Sequence, residues 1–492
     1  MQLIAEPFSS PVRPVLRGRF GAVSAAHPLA VAAGQEMLLS GGTAADAAIA
    51  AQAVLCVVMP NACGLGGDML ALVHVPGSAA YAINGTGCSP RGLEKVSDSG
   101  PHSVTVPGIV DAWCVLSDRQ GRLPLARLLE PAVRLARSGM RVSHTLSEAL
   151  SGHRERLREG NATEWILFGQ RTGTTVEQVR LASILERVGT EGRGAFYEGP
   201  AAQAITQAVR VLGGTLSVAD MAAHTTVVGV PVESAWSELR VATQPPMSQG
   251  VLLNMAVEAL SRLGDFPAEL NDHVAIELTQ AAFAFRSDVA EGTALLGREL
   301  RIDLQRASNR GGPRAYLHTA GVAAVDGDGG VVSSLVSVFD EFGSGVFVPE
   351  LGITLNNRAG GFTDGANAPA PGKRPVHTLA PVLVETPEGT LALATPGADG
   401  QVQTLLQILV GIQRDQLDLA RAIARPRWRS EGGALLVEKS HGRLDRLRGL
   451  GHQVRTLEDG DVRFGGVVCA GWIEAQPVAA ADWRRETAAG VI

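Results

Sequence analysis

The chain has 492 residues, 45% hydrophobic and 19% charged, with a formal net charge of −6, which is ordinary globular material long enough to bury a large core. The acidic balance and the absence of a long basic run exclude a protein that tracks nucleic-acid phosphates, and the Arg-rich stretch 421–429 reads as a solvated helix end. The most apolar helix, near 44–59, is too short to span a bilayer and is interrupted by Asp46 and Gln52, so no membrane partner is expected.

In chain order, residues 1–24 read as an irregular lead-in without the apolar core of a signal peptide. Five cysteines, Cys56, Cys63, Cys88, Cys114 and Cys469, lack metal or CxxC spacing and read as free thiols. Both features point to the cytoplasm. A small-residue helix is expected over 25–39, stopped by Gly41-Gly42, and Thr43 with Asp46 caps a second helix that ends at Pro60. The segment NACGLGGD at 61–68 is a tight turn before a strand over 69–75, and it lacks the preceding strand of a dinucleotide fingerprint. A strand over 80–84 leads into the loop GTGCSP, and the chain is then mainly helical to 230. Pro245-Pro246 precedes a further helix, and 272–285 is another, in which His273 reads as a packing or capping residue. The charged stretch 291–314 reads as a flexible tail. Beyond it come strands near 352–356, 379–385 and 390–395, helices over 400–410 and 415–425, and an αβ tail over 434–470 with Cys469 in its last strand.

The chemistry is expected between these halves. Residues 319–325 and 331–339 are apolar, β-branched runs separated by Asp326-Gly327-Asp328-Gly329-Gly330, a hairpin signal. With those five residues as the loop, Val325 pairs with Val331, and counting outward puts Thr319 opposite Ser337. A threonine hydroxyl is a weak nucleophile. Cutting the chain just before it supplies an α-amine, with a reference pKa of about 7.7–8.0, as a built-in base. The Asp326-Gly327-Asp328 run lacks the remaining ligands of a calcium loop, and no metal or cofactor is expected.

Thr319, Asp326, Ser337 and the Phe342-Gly343-Ser344-Gly345 turn match the start of the small subunit of γ-glutamyltranspeptidases without a gap. Leu355-Asn356-Asn357, Lys373-Arg374-Pro375 and Thr395-Pro396-Gly397 continue the resemblance, and Gly64-Leu65-Gly66-Gly67-Asp68 extends it to the large-subunit side. The resemblance implies a four-layer αββα fold of the N-terminal-nucleophile (Ntn) hydrolase type, an α+β class, in one interwoven domain. It also implies scission at His318–Thr319 into a helix-rich large fragment, 1–318, and a small fragment, 319–492, that remain partners. Thr319 would be the nucleophile, Ser337 would orient it, and the amides of Gly397 and Ala398 would hold the oxyanion. Assembly beyond the two fragments, such as a dimer of αβ units, is left open.

Departures from the family pattern bear on substrate. Thr86 stands where the family has a carboxylate-gripping arginine, and Ala320 and Gly321 follow the nucleophile in place of threonine and histidine. Phe339, Arg358, Gly361 and the pair His377-Thr378 replace the residues that hold the glutamyl amine and carboxylate. A cation is gained and no acid is expected nearby, which suits a small amide bearing an anionic group. Arg358 would be the fork for that group and His377 a hydrogen-bond donor or a satisfied supporting histidine. The pattern resembles the oxamate amidohydrolase-like subgroup. Alternatives are a γ-glutamyl hydrolase or transpeptidase, an acylase for larger amides, and an unprocessed, non-catalytic scaffold.

Overall fold

The computed structural model describes residues 12–310 and 318–492. Runs of small and β-branched residues, buried on both faces in inner strands such as Gly21–Ala25, Ala320–Asp326 and Val331–Ser337, build two seven-stranded antiparallel sheets. In the first, the spatial order is Ala488–Val491, Gly21–Ala25, Ala320–Asp326, Val331–Ser337, Asp68–His74, Tyr81–Asn84 and Val227–Gly229. In the second it is Leu16–Arg17, Gln476–Ala481, Val468–Ile473, Gly389–Ala394, Val382–Thr386, Leu239–Thr243 and Val232–Trp236. Three apolar clusters fill the gaps between layers. One, with Leu72, Ala323, Val325, Leu383 and Val468, lies between the sheets. A second joins the first sheet to helices Pro28–Leu39 and Ala44–Val58. The third joins the second sheet to Gly250–Arg262, Asn271–Phe283 and Gly400–Gln413. The result is the four-layer αββα sandwich of an Ntn hydrolase.

The hairpin Ala320–Asp326/Val331–Ser337 lies at the centre of the first sheet, and Val325 pairs with Val331 as counted from the sequence. Its turn also organises a helix. Asp326 Oδ1 accepts the amides of Asp328 and Gly330 at 3.0 and 2.8 Å, while Oδ2 accepts that of Ala44 at 2.9 Å. The expected Thr43/Asp46 capping box is present at that same helix start.

Several expectations fail for physical reasons. The lead-in contains a sheet strand, Gly21–Ala25, whose five residues are all buried and so lack the alternation that marks a half-exposed strand. The strands Val232–Trp236 and Leu239–Thr243 were not anticipated, and the chain after Cys469 adds two more, so Cys469 lies inside the second sheet instead of ending a tail. In the Arg-rich stretch, Arg427 and Arg429 are buried; Arg427 pairs with Asp482 at 2.6 Å and Arg429 with Glu431 at 3.3 Å.

The stretch before the expected cut is not a free tail as far as residue 310. Arg286–Gly297 forms 3-10 turns with Val289 and Leu295 buried. Beyond them the helix Asn271–Phe283 grips the chain: His273 Nε2 meets the Asp303 carbonyl at 2.7 Å, Glu277 takes the Ser308 amide at 3.0 Å, and Gln280 takes the Arg310 amide at 3.2 Å. His273, Glu277 and His452 bring ligand-type atoms within 4.8 Å of one another. Those atoms are occupied, because His273 Nδ1 meets His452 Nε2 at 2.8 Å and both Glu277 oxygens take Ser308. The end of the expected tail, 311–314, lies outside the described residues.

Candidate active site

Extending the hairpin register one rung past Ala320–Val336 sets Thr319 opposite Ser337, just beyond the open end of the strand pair. Thr319 is 3% exposed. Its hydroxyl donates to the carbonyl of His318 at 2.7 Å, and the Ser337 hydroxyl donates to the same oxygen at 3.2 Å. Ser337 Oγ is oriented in turn by the Phe339 amide at 2.9 Å. Two hydroxyls therefore converge on the one carbonyl whose amide nitrogen belongs to Thr319. Gly321 is explained by sheet packing: a Cβ there would lie 2.9 Å from Val468 Cγ2 and 3.4 Å from Ala394 Cβ, leaving no room for a histidine.

Beside this hairpin, Asp68, Arg358 and His377 form a wholly buried cluster. Asp68 is the first residue of the strand paired to Val331–Ser337 and sits across from Ser337. Arg358 opens a 3-10 turn whose amide is held by Asn356 Oδ1 at 3.0 Å, and Asn356 Nδ2 reaches the Gly66 carbonyl at 2.9 Å. Only glycine fits at 66, because a Cβ would lie 2.1 Å from the Thr354 carbonyl. Arg358 Nε donates to Asp68 Oδ2 at 3.0 Å, and its guanidinium carbon stands 4.4 Å from the centroid of the Phe339 ring. Nη1 and Nη2 are buried without a hydrogen-bond partner among the described residues.

His377 is spent within the protein. Its Nδ1 accepts the Leu379 amide at 3.1 Å, so the proton rests on Nε2, which lies 3.3 Å from Asp68 Oδ2. Burial, reinforced by the Arg358 charge, pushes its pKa down to about 4. Of the two roles expected for His377, substrate donor or supporting histidine, these contacts accord with the second. Burial opposes ionisation of Asp68, but the hydrogen bond from His377 and the charge of Arg358 outweigh it and hold the carboxyl below its usual range. Asp68 also corrects the expectation that no acid stands near Arg358. Thr86 is similarly committed, its hydroxyl and amide both donating to Asn84 Oδ1 at 2.6 and 3.0 Å. Arg374 reaches the Thr86 carbonyl at 2.8 Å from the opposite side.

The loop after Gly389–Ala394 carries Gly397 and Ala398 with φ of 126° and 47°. Arg429 Nη2 and the Gly400 amide donate to the Gly397 carbonyl at 3.3 and 2.7 Å. A trans peptide points its N–H opposite its carbonyl, so this grip turns the Ala398 amide the other way. Gln249 Nε2 bridges the carbonyls of Thr378 and Ala398 at 2.9 Å each, tying that pair of residues to the loop. Among the described residues, neither the Gly397 nor the Ala398 amide makes a hydrogen bond.

The sequence matches the gamma-glutamyltranspeptidase family over residues 30–492. The chain belongs to that family. It is 31% identical to the oxamate amidohydrolase proenzyme of Klebsiella pneumoniae, over 89% of this chain and 92% of that protein. It is also 31% identical to a glutathione hydrolase-like proenzyme of Bacillus subtilis, over the same shares. The crystal structure of a cephalosporin acylase from Bacillus halodurans superposes with a TM-score of 0.89 at 26% identity, covering 100% of this chain and 99% of that one. This gamma-glutamyltranspeptidase-family chain is accordingly an enzyme of the Ntn hydrolase class. No helix among its described residues is long and apolar enough to cross a membrane. Asp68 and Gln249, which contact the residues expected at the site, were not among those given a role from the sequence. The motif Gly64–Asp68 in the family resemblance was the signal for Asp68, and Gln249 gave none.

Proposed function

We propose that this protein is an autoprocessing amidohydrolase that cleaves a small amide carrying an anionic group, with oxamate-like acids as the substrate class. Thr319 Oγ attacks the His318 carbonyl carbon and displaces the Thr319 nitrogen, giving an ester that water hydrolyses to a His318 carboxylate and a free Thr319 α-amine. The products are fragments 1–318 and 319–492, which stay interwoven. In turnover the α-amine takes the Oγ proton, Oγ adds to the substrate carbonyl, and the backbone amide N–H groups of Gly397 and Ala398 stabilise the oxyanion. Ammonia or an amine leaves with a proton, and water releases the acid.

The observation that carries the substrate class is Arg358. Its Nε is fixed by Asp68 and its plane lies over Phe339, while its two terminal amino groups are buried and unpartnered. A buried donor left unmet costs about 1–3 kcal/mol, more for a charged group, so a planar carboxylate is the complement this fork favours. A γ-glutamyl amine would need an acid, and Asp68 is already consumed by Arg358 and His377. The similarity to an oxamate amidohydrolase supports the same class. Ammonia release from oxamate should exceed turnover of a γ-glutamyl anilide; the reverse order would defeat the assignment. Free cysteines at all five positions accord with a cytoplasmic setting.

A further inference from the structure

Glu341 lies in the loop that follows the hairpin and contacts the residue on the acyl side of the expected cut. Its Oε1 is 3.1 Å from His318 Nδ1 and accepts Asn61 Nδ2 at 3.2 Å, while Oε2 is 2.6 Å from His153 Nε2. The loop holds this carboxylate in place independently of His318. The Phe342 amide donates to the Asn61 carbonyl at 3.0 Å, and Arg156 Nη1 donates to the Glu341 carbonyl at 3.1 Å. The Phe342 ring packs edge-on against Trp165 with centroids 5.8 Å apart. Phe339 and Phe342 flank Glu341 with φ of 84° and 58°, left-handed conformations that a bulky residue keeps only when its surroundings impose them.

A fixed carboxylate therefore grips the side chain of His318, while two hydroxyls approach the carbonyl of that same residue. Turnover, by contrast, uses Thr319 Oγ, the new amine and the Gly397–Ala398 loop, none of which Glu341 touches among the described contacts. We infer that Glu341 is a positioning residue dedicated to self-cleavage: through His318 it holds the scissile carbonyl in the path of Thr319 Oγ and contributes nothing to later amide hydrolysis. This rests on the reading that the chain is cut before Thr319. Displacing a reacting atom by about 1 Å can cost roughly 100-fold in rate, so a side-chain anchor one residue from the attacking hydroxyl has ample leverage.

The test follows the full chain made by cell-free synthesis. Conversion to fragments is timed on denaturing gels, and the new terminus is identified by mass spectrometry. Glu341→Gln should slow conversion about tenfold or more, yet after complete processing show kcat and KM close to those of the unaltered enzyme. His318→Ala should slow conversion similarly, and the double variant should be no slower than the slower single one, because both changes break one contact. Glu341→Gln that converts at the unaltered rate, or that slows His318→Ala further, overturns the clamp. Equal losses in conversion and turnover would mark a merely structural residue and overturn it too. Absence of a Thr319 terminus in the unaltered protein would instead remove the processing reading and the clamp with it, a result visible before any variant is made.

Discussion

On the proposed reading, the single side chain of Arg358 sets substrate choice. Arg358→Lys keeps the charge facing Asp68 and removes the fork, so KM for an oxamate-like amide should rise roughly 10- to 100-fold, in line with loss of a charge-assisted hydrogen bond, while kcat changes less. An unchanged KM in steady-state assays would dismiss the fork. Arg358→Ala also strands a buried carboxylate and should destabilise the protein by about 3–5 kcal/mol, read as a lower denaturation midpoint. At the nucleophile, Thr319→Ala should remain a single intact band on denaturing gels, since the only change is loss of the attacking oxygen. The pairing of Thr319 with Ser337 was legible because a hairpin count is local. The role of Asp68 was not, because its partners Arg358 and His377 lie 290 and 309 residues away along the chain.

Among the elements, the central hairpin announced itself through two β-branched runs and a glycine-aspartate turn. What the sequence did not announce is that Asp326 also caps the Ala44–Val58 helix from a distance of 282 residues. Asp326→Ala removes an acceptor for three backbone amides and should lower stability by about 1–3 kcal/mol, measurable by chemical denaturation. A change below about 0.5 kcal/mol would mean that the turn and the helix start are held by other contacts. The strand Gly21–Ala25 escaped notice for the opposite reason. A central strand buried on both faces carries no polar-apolar alternation, and GAVSA offers only small residues to read. Arg427 and Arg429 misled in a similar way: a run of arginines looks solvated, but Arg427 meets Asp482 from 55 residues further along the chain, and Arg429 pairs with Glu431 on its own buried strand.

Across the whole molecule, burial holds His27, His224, His318, His377 and His452 neutral, each with its pKa pushed down to about 4. An unfolded histidine titrates near 6.5, so between about pH 6.5 and 4 the unfolded chain binds more protons than the native one. Stability should therefore be fully present above about pH 6.5 and fall as the pH drops toward 4. Thermal melts across that window test this, and a flat profile would show that these histidines are not held neutral. The sequence by itself determined the Ntn family, the hairpin and the threonine at its open end, because those rest on local periodicity and an ungapped run of motifs. Only the tertiary structure decided which polar groups are free to meet a substrate and which are spent on each other. Hydrogen bonds and ion pairs form between whatever the fold brings together, and at this site they join Asp68, Glu341 and Gln249 to residues far along the chain.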